Sequence, residues 1–235
     1  MRIDLNCDLG EGAPNDAELM PLISSANIAC GAHAGDGATM RRTLELARAN
    51  GVAAGAHPGY GDRANFGRRE LTLLPDEVFQ LVREQVRELQ QVAAGLGVGL
   101  THVKPHGALY NQAAREASLA KAIAAAVHES DPRLILFGLA GSALIAAAKA
   151  RGLASASEIF ADRRYQADGS LTPRSEPDAL IDDPGEACAQ VLRLIQEGWA
   201  QTVCVHGDGS HAVIFARQLR SALQAAGIEV KPCAT

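Results

Sequence analysis

Apolar and polar positions along this chain follow two periods. Short stretches of period two, such as I-D-L-N-C, read as strands, and stretches with apolar residues every three or four positions read as helices. The clearest helix starts at Pro75, a good first-turn residue; Val78, Val82, Val86, Leu89 and Ala93 form one buried stripe, and Gly95 and Gly97 end it. Strands are expected at Arg2–Cys7, Asn27–Cys30, Val52–Ala56, Leu100–Lys104, Leu134–Phe137, Ser155–Phe160 and Thr202–Val205, with a last short one at Ile228–Val230. Helices are expected from Asp16, where Asn15 and Glu18 have capping-box spacing, and over Ala38–Asn50, Ser118–Glu129, Ala143–Arg151, Gly185–Glu197 and Ala212–Ala226. Polar loops cover 57–70 and 161–184.

Strand and helix patterns alternate from end to end, which predicts parallel βα units. There are seven units and a partial eighth, with no linker, composition break or strict repeat between them. A single barrel-like α/β domain is the simplest architecture, and an open doubly wound sheet is the alternative. The length of 235 residues suits one such barrel.

Composition narrows the function. A formal charge of -5 and no basic run longer than two residues argue against nucleic acid as a partner. No apolar run approaches the ~20 residues of a membrane span, so no membrane role is expected. The five cysteines (Cys7, Cys30, Cys188, Cys204 and Cys233) form no C-x-x-C pair. They read as reduced thiols and, with no apolar signal segment at the N-terminus, predict a cytoplasmic location.

Candidate chemistry collects at the C-terminal ends of the strands, where parallel barrels carry their working residues. The first strand puts Asp4, Asn6 and Asp8 on one face; the second leads to His33 and Asp36, and the third to His57 and Tyr60. The stretch Thr101–Asn111 starts as a strand and is expected to end as a loop, delivering Lys104 and His106 around Pro105. The sixth strand ends at Asp162, Arg163 and Arg164, and the seventh at His206, Asp208 and His211. Six of the seven histidines lie in these segments, a concentration that points to an active site. Plainer readings stand beside it. Asp4 and Asn6 suit a buried hydrogen-bonded pair, Asp36 a helix cap, His102 a buried support and His128 a surface position. Asp plus two His suits zinc or another divalent ion, but no H-E-x-x-H or EF-hand pattern is present, so the metal is left open. Arg68, Arg69, Arg163 and Arg164 are candidates to clamp an anion or to be solvated loop arginines. A P-loop is absent.

The segments D-L-N-C-D-L-G-E, S-A-N-I-A-C-G-A-H-A-G-D, G-A-H-P-G-Y, F-G-R-R, V-K-P-H-G-A-L-Y-N, F-A-D-R-x-Y-x-x-D-G-x-L and C-V-H-G-D resemble, in order, the motifs of the LamB/YcsF family. The resemblance implies an irregular (β/α)7 TIM-like barrel similar to the glycoside hydrolase/deacetylase superfamily. It implies the A subunit of an ATP-dependent 5-oxoprolinase, cleaving 5-oxoproline (pyroglutamate) to L-glutamate with ATP hydrolysed to ADP and phosphate. Implied with it are partner subunits B and C, ATP as co-substrate and Mg as the divalent ion accompanying it. Asp8, His57, Lys104, His106 and Asp208 then become the catalytic candidates. Asn6, His33, Asp36, Tyr60, Arg68, Asp162, Arg163 and His206 become substrate contacts. Lys104 and Arg163 are expected to stabilise phosphate or oxyanion charge, and His57 or His106 to act as base, oriented by Asp8 or Asp208. The chain departs from the family pattern at Ala32, Gly37, Gly59 and Gly209–His211 and in a shorter loop after Gly12, which touches loop shape and substrate choice. Two other readings stay open: a metal-dependent amidohydrolase or deacetylase working without ATP, and a non-catalytic substrate-binding subunit.

Overall fold

The computed structural model describes residues 1–206 and 212–233. Strands form where the sequence alternates or runs apolar: β1 (Arg2–Leu9), β2 (Ser25–Ala29), β3 (Ala53–His57), β4 (Leu100–Val103), β5 (Ile135–Leu139), β6 (Ser155–Phe160) and β7 (Thr202–His206). All pair in parallel, in the order β2-β3-β4-β5-β6-β7-β1. β1 also pairs with β2, with Asn6 opposite Ser25 and Asp8 opposite Asn27, so the sheet closes on itself. That closure decides for a seven-stranded barrel against an open sheet. A short β8 (Glu229–Val230) pairs with the start of β1, at Arg2 and Ile3.

Around the barrel lie α1 (Asp16–Leu19), α2 (Gly37–Asn50), α3 (Pro75–Ala94), α4 (Gly107–Arg115), α5 (Ala117–Ser130), α6 (Ala143–Ala150), α7 (Pro184–Gln196) and α8 (Ala212–Ala225). The α3 stripe of Val78, Val82, Val86, Leu89 and Ala93 is fully buried, as its spacing requires. Burying each larger side chain of that stripe is worth about 1.5–3 kcal/mol. At the helix start the Glu77 carboxylate accepts a hydrogen bond of 2.6 Å from the Leu74 N–H. No helix among the described residues is long and apolar enough to cross a membrane.

Two local expectations change. The stretch after His106 is not loop but α4, whose Ala108, Leu109, Gln112 and Ala113 are buried. Pro105 does stop β4, and Gly107 (φ 53°) turns the chain straight into the helix. A Cβ on Gly107 would sit 2.7 Å from the Gly67 carbonyl oxygen, so glycine alone fits this turn. The Asn15 capping box does not form; the Asn15 side chain makes no cap hydrogen bond, and the Asp16 carboxylate instead accepts from the Gly10 N–H at 2.8 Å.

The barrel interior is polar where many barrels are apolar. At its N-terminal end Asp4 accepts from the hydroxyls of Ser24 (2.6 Å), Ser25 (2.7 Å) and Thr202 (2.6 Å), and burial pushes its carboxyl pKa up. One layer higher, the Asn6 amide donates to Glu158 (2.9 Å) and Thr202 (2.7 Å), while Asn27 donates to Asn6 and to Asp8, each at 2.7 Å. His102 Nε2 lies 2.8 Å from the Asn27 Oδ1 acceptor. The His102 ring fills the space beside Gly55, where a Cβ would come within 2.2 Å of its Nε2.

Candidate active site

The C-terminal strand ends and the loops after them surround a cleft of 360 Å³. Its floor is Lys104, one residue past β4 and 2 % exposed. The ammonium lies 2.9 Å from Asp8 Oδ1, 3.0 Å from Glu158 Oε1, 3.0 Å from Cys204 Sγ and 3.2 Å from Asn6 Oδ1. Its three hydrogens are thereby all engaged. Burial works to lower the lysine pKa, but Asp8, Cys204 and Glu158 outweigh it and hold it well above the usual value. Burial works to raise Asp8, and His57 and Lys104 reverse it, so this carboxylate stays ionised. The expected role of Lys104, stabilising phosphate or oxyanion charge, competes with these contacts. The lysine neutralises two buried carboxylates, and its donors are directed to groups of the protein itself.

His57, at the end of β3, places Nδ1 2.7 Å from the Lys104 carbonyl oxygen. Its Nε2 faces Asp8 Oδ2 at 3.4 Å and Glu11 Oε1 at 3.6 Å. Burial pulls the His57 pKa down; Asp8 first, then Glu11, raise it above the usual value. His106 stands between β4 and α4, its Nε2 2.9 Å from the Phe66 carbonyl oxygen and its Nδ1 3.0 Å from His57 Nε2. Burial lowers its pKa, and lowers that of His33 to about 4.

Across the cleft, at the end of β7, His206 Nδ1 contacts both oxygens of Asp162, at 2.9 and 2.7 Å. The carboxylate only accepts, so Nδ1 carries hydrogen and Nε2 is left as the ring's other nitrogen. Burial works to raise Asp162, and His206 holds it below its usual value. This is the arrangement of an oriented general base: a histidine fixed by a half-buried carboxylate and lining an open cleft. Arg163 and Arg174 line the same side. Arg163 is held by the carbonyls of Ala179 (3.4 Å) and Thr172 (2.5 Å), and burial lowers its pKa to about 10.

The structure thus brings Asp8, His57, Arg68, Lys104, His106, Arg163 and His206 to one cleft, with Asp162 behind His206. Besides Asp162, four predicted contacts lie outside its lining. Asn6 is spent within the barrel, on the hydrogen bonds given above. Tyr60 is buried with its hydroxyl 2.8 Å from the Gln112 Oε1 atom. Asp36 is the N-cap of α2, accepting from Thr39 N at 2.7 Å. His33 sits behind Glu11, its Nε2 3.1 Å from Glu11 Oε1. Asp208, with His211, falls outside the described residues. Arg164 is an exposed partner of Glu186.

Two acids escaped the sequence reading. Glu11 closes the D-L-N-C-D-L-G-E segment, three residues past Asp8, yet it leans back among three histidines. Burial works to raise it; hydrogen bonds from His106 and His33 and the charge of His57 hold it well below the carboxylate range. Glu158 is a lone acid in the otherwise neutral strand S-A-S-E-I-F, which was the available signal.

The sequence model of the LamB/YcsF family matches residues 3–235. The structure is similar to that of the lactam utilization protein from Thermus thermophilus, with TM-score 0.91 and 42% identity over 98% of this chain and 99% of that one. Two more distant structures share the fold alone. They are a family 4 carbohydrate esterase from Streptomyces lividans (TM-score 0.53, 14% identity, 99% of this chain, 93% of that) and the catalytic domain of a peptidoglycan N-acetylglucosamine deacetylase from Eubacterium rectale (TM-score 0.56, 14% identity, 99% and 88%).

Proposed function

From the premise that this chain belongs to the LamB/YcsF family, we propose that it is the A subunit of an ATP-dependent 5-oxoprolinase. It would open 5-oxoproline to L-glutamate, working in the cytoplasm with subunits B and C. The observation that carries this reading is the His206–Asp162 pair facing arginines in one small cleft. Support from likeness comes from the lactam utilization protein of Thermus thermophilus.

The chemistry follows from the substrate. A five-membered lactam is a stable amide with a poorly electrophilic carbonyl. Transfer of the ATP γ-phosphoryl group to the lactam oxygen releases ADP and makes the ring carbon reactive. Water, giving its proton to His206 Nε2, adds to that carbon. The ring C–N bond breaks, the nitrogen takes a proton, and the product is an acyl phosphate of glutamate. A second water releases phosphate and leaves L-glutamate. Arg163 and Arg174, which line the cleft, would hold the substrate carboxylate or the transferred phosphoryl group. A cleft of 360 Å³ is at the small end of ligand sites and suits an amino-acid-sized lactam. Mg is expected to travel with the nucleotide.

The test is glutamate release from 5-oxoproline by the purified chain, with and without ATP and with and without its B and C subunits. Release that needs ATP and both partners is expected. Release by this chain alone, without ATP, would replace the reading with an amidohydrolase. A complex that assembles and binds 5-oxoproline, yet tolerates loss of His206, would make this chain a binding subunit.

A further inference from the structure

A second feature of the cleft wall goes beyond that reading and needs neither ATP nor a partner. The Lys104 and Phe66 carbonyls fix hydrogen on His57 Nδ1 and His106 Nε2, because a carbonyl oxygen only accepts. On neutral rings the lone pairs are then on His57 Nε2 and His106 Nδ1. These nitrogens face each other at 3.0 Å. Glu11 Oε1, also an acceptor, lies 3.6 Å from the first and 3.2 Å from the second. With both rings neutral, three electron-pair donors converge, and any proton that His57 or His106 shares with Glu11 is what an entering ion would displace. The two rings are close to perpendicular, at 89°, and their facing nitrogens and the Glu11 oxygen lie within 3.6 Å of one another.

The spacing suits an ion. Arms of ~2.0–2.1 Å in a tetrahedral set imply donor–donor edges of roughly 3.3 Å. The three edges here, 3.0, 3.2 and 3.6 Å, bracket that value. We propose that Glu11, His57 and His106 bind one divalent transition-metal ion of the zinc type, with its remaining positions open to the cleft. Two imidazoles and one carboxylate favour such an ion over Mg or Ca, which take oxygen ligands. His33 is a positioning residue, not a ligand. Its ring stacks on His106 at 3.8 Å and 3°, and stacked rings do not aim two lone pairs at one point. Its Nε2 donates to Glu11, and its Nδ1 is buried without a hydrogen-bond partner.

The experiment uses the full chain, stripped with a chelator and titrated with Zn2+ or Co2+ alone. One ion per chain is expected, with visible Co2+ bands of a four- or five-coordinate site. Glu11→Gln and His106→Asn should abolish both, while Cys188→Ser and His128→Gln leave them unchanged. His33→Gln should weaken binding about 10–100-fold without moving the Co2+ bands, because it alters only the group that orients Glu11. X-ray absorption of the Zn-loaded wild-type chain covers the case of variants that do not fold. Two imidazole nitrogens and an oxygen shell are expected; sulfur ligands or an all-oxygen shell would overturn the site. So would a wild-type chain that binds no ion, which would leave a shared proton between the histidines, or binding that survives Glu11→Gln. None of these readouts depends on glutamate release, so the two proposals fail separately.

Discussion

A single ammonium carries much of the electrostatics of this cleft. Lys104 neutralises Asp8 and Glu158 together, both buried. Lys104→Met is expected to destabilise the fold by about 3–5 kcal/mol in urea denaturation, since it strands two carboxylates without a cation. Adding Glu158→Gln should recover part of that loss, a coupling a double-mutant cycle would read. His206 is different, because it is only partly buried, with its ring against Phe160 and its Nδ1 on Asp162. On the proposed function, His206→Gln and Asp162→Asn should each lower the rate of ATP-dependent glutamate release by about 10²–10⁴, with melting temperatures measured alongside to separate lost activity from lost folding. His102 sets an acid limit on stability. Burial lowers its pKa in the fold to about 3, against the ordinary 6.5 of the unfolded chain. Above pH 6.5 both states are neutral and the group contributes no pH dependence. As pH falls from 6.5 towards 3 the unfolded chain takes up a proton that the fold refuses, so stability drops by about 1.4 kcal/mol per pH unit. His102→Gln should flatten that part of the pH–stability curve, measured by denaturation at pH 7.5 and 5.

The elements divide by how they announce themselves. β1 was legible because its polar residues fall on one face, and α3 because its stripe repeats every three or four residues. α4 was not, because Lys-Pro-His-Gly looks like the start of a long loop. Only the close approach of the Gly67 carbonyl shows that the chain turns at once into a helix there. The strand ends likewise named most of the cleft, since strand direction fixes which end a residue serves. What alternation does not encode is how side chains divide their hydrogen bonds. Asn6, Tyr60 and Asp36 have the right chemistry for a substrate and spend it on the protein itself. Glu11 lay in a loop, where no period assigns a direction. The pairing of β3 with β4 depends on the same kind of detail: Gly55→Ala should cost about 1–3 kcal/mol through collision with His102, and His102→Ala in the same chain should relieve the collision.

At the scale of the molecule, β1 is the stave that closes the barrel, paired on one side with β2 and on the other with β7. Opening it breaks both seams, so unfolding should be one cooperative event. The single tryptophan, Trp199, precedes β7 and offers a local probe. Its fluorescence and the far-ultraviolet circular dichroism should report the same urea midpoint; separated midpoints would show that the β7 region melts on its own. The polar interior has a further consequence. The bottom of the cleft is tied through Asp8, Asn27, Asn6 and Thr202 to Asp4 at the opposite mouth of the barrel. A substitution made there to admit a new ligand would have to reorganise that whole column. The connection 161–183 carries Arg163 and Arg174 and is folded on itself by two isolated antiparallel bridges, Arg163 with Leu180 and Tyr165 with Leu171. Anyone wishing to change what this cleft accepts should keep the staves fixed and randomise that strap.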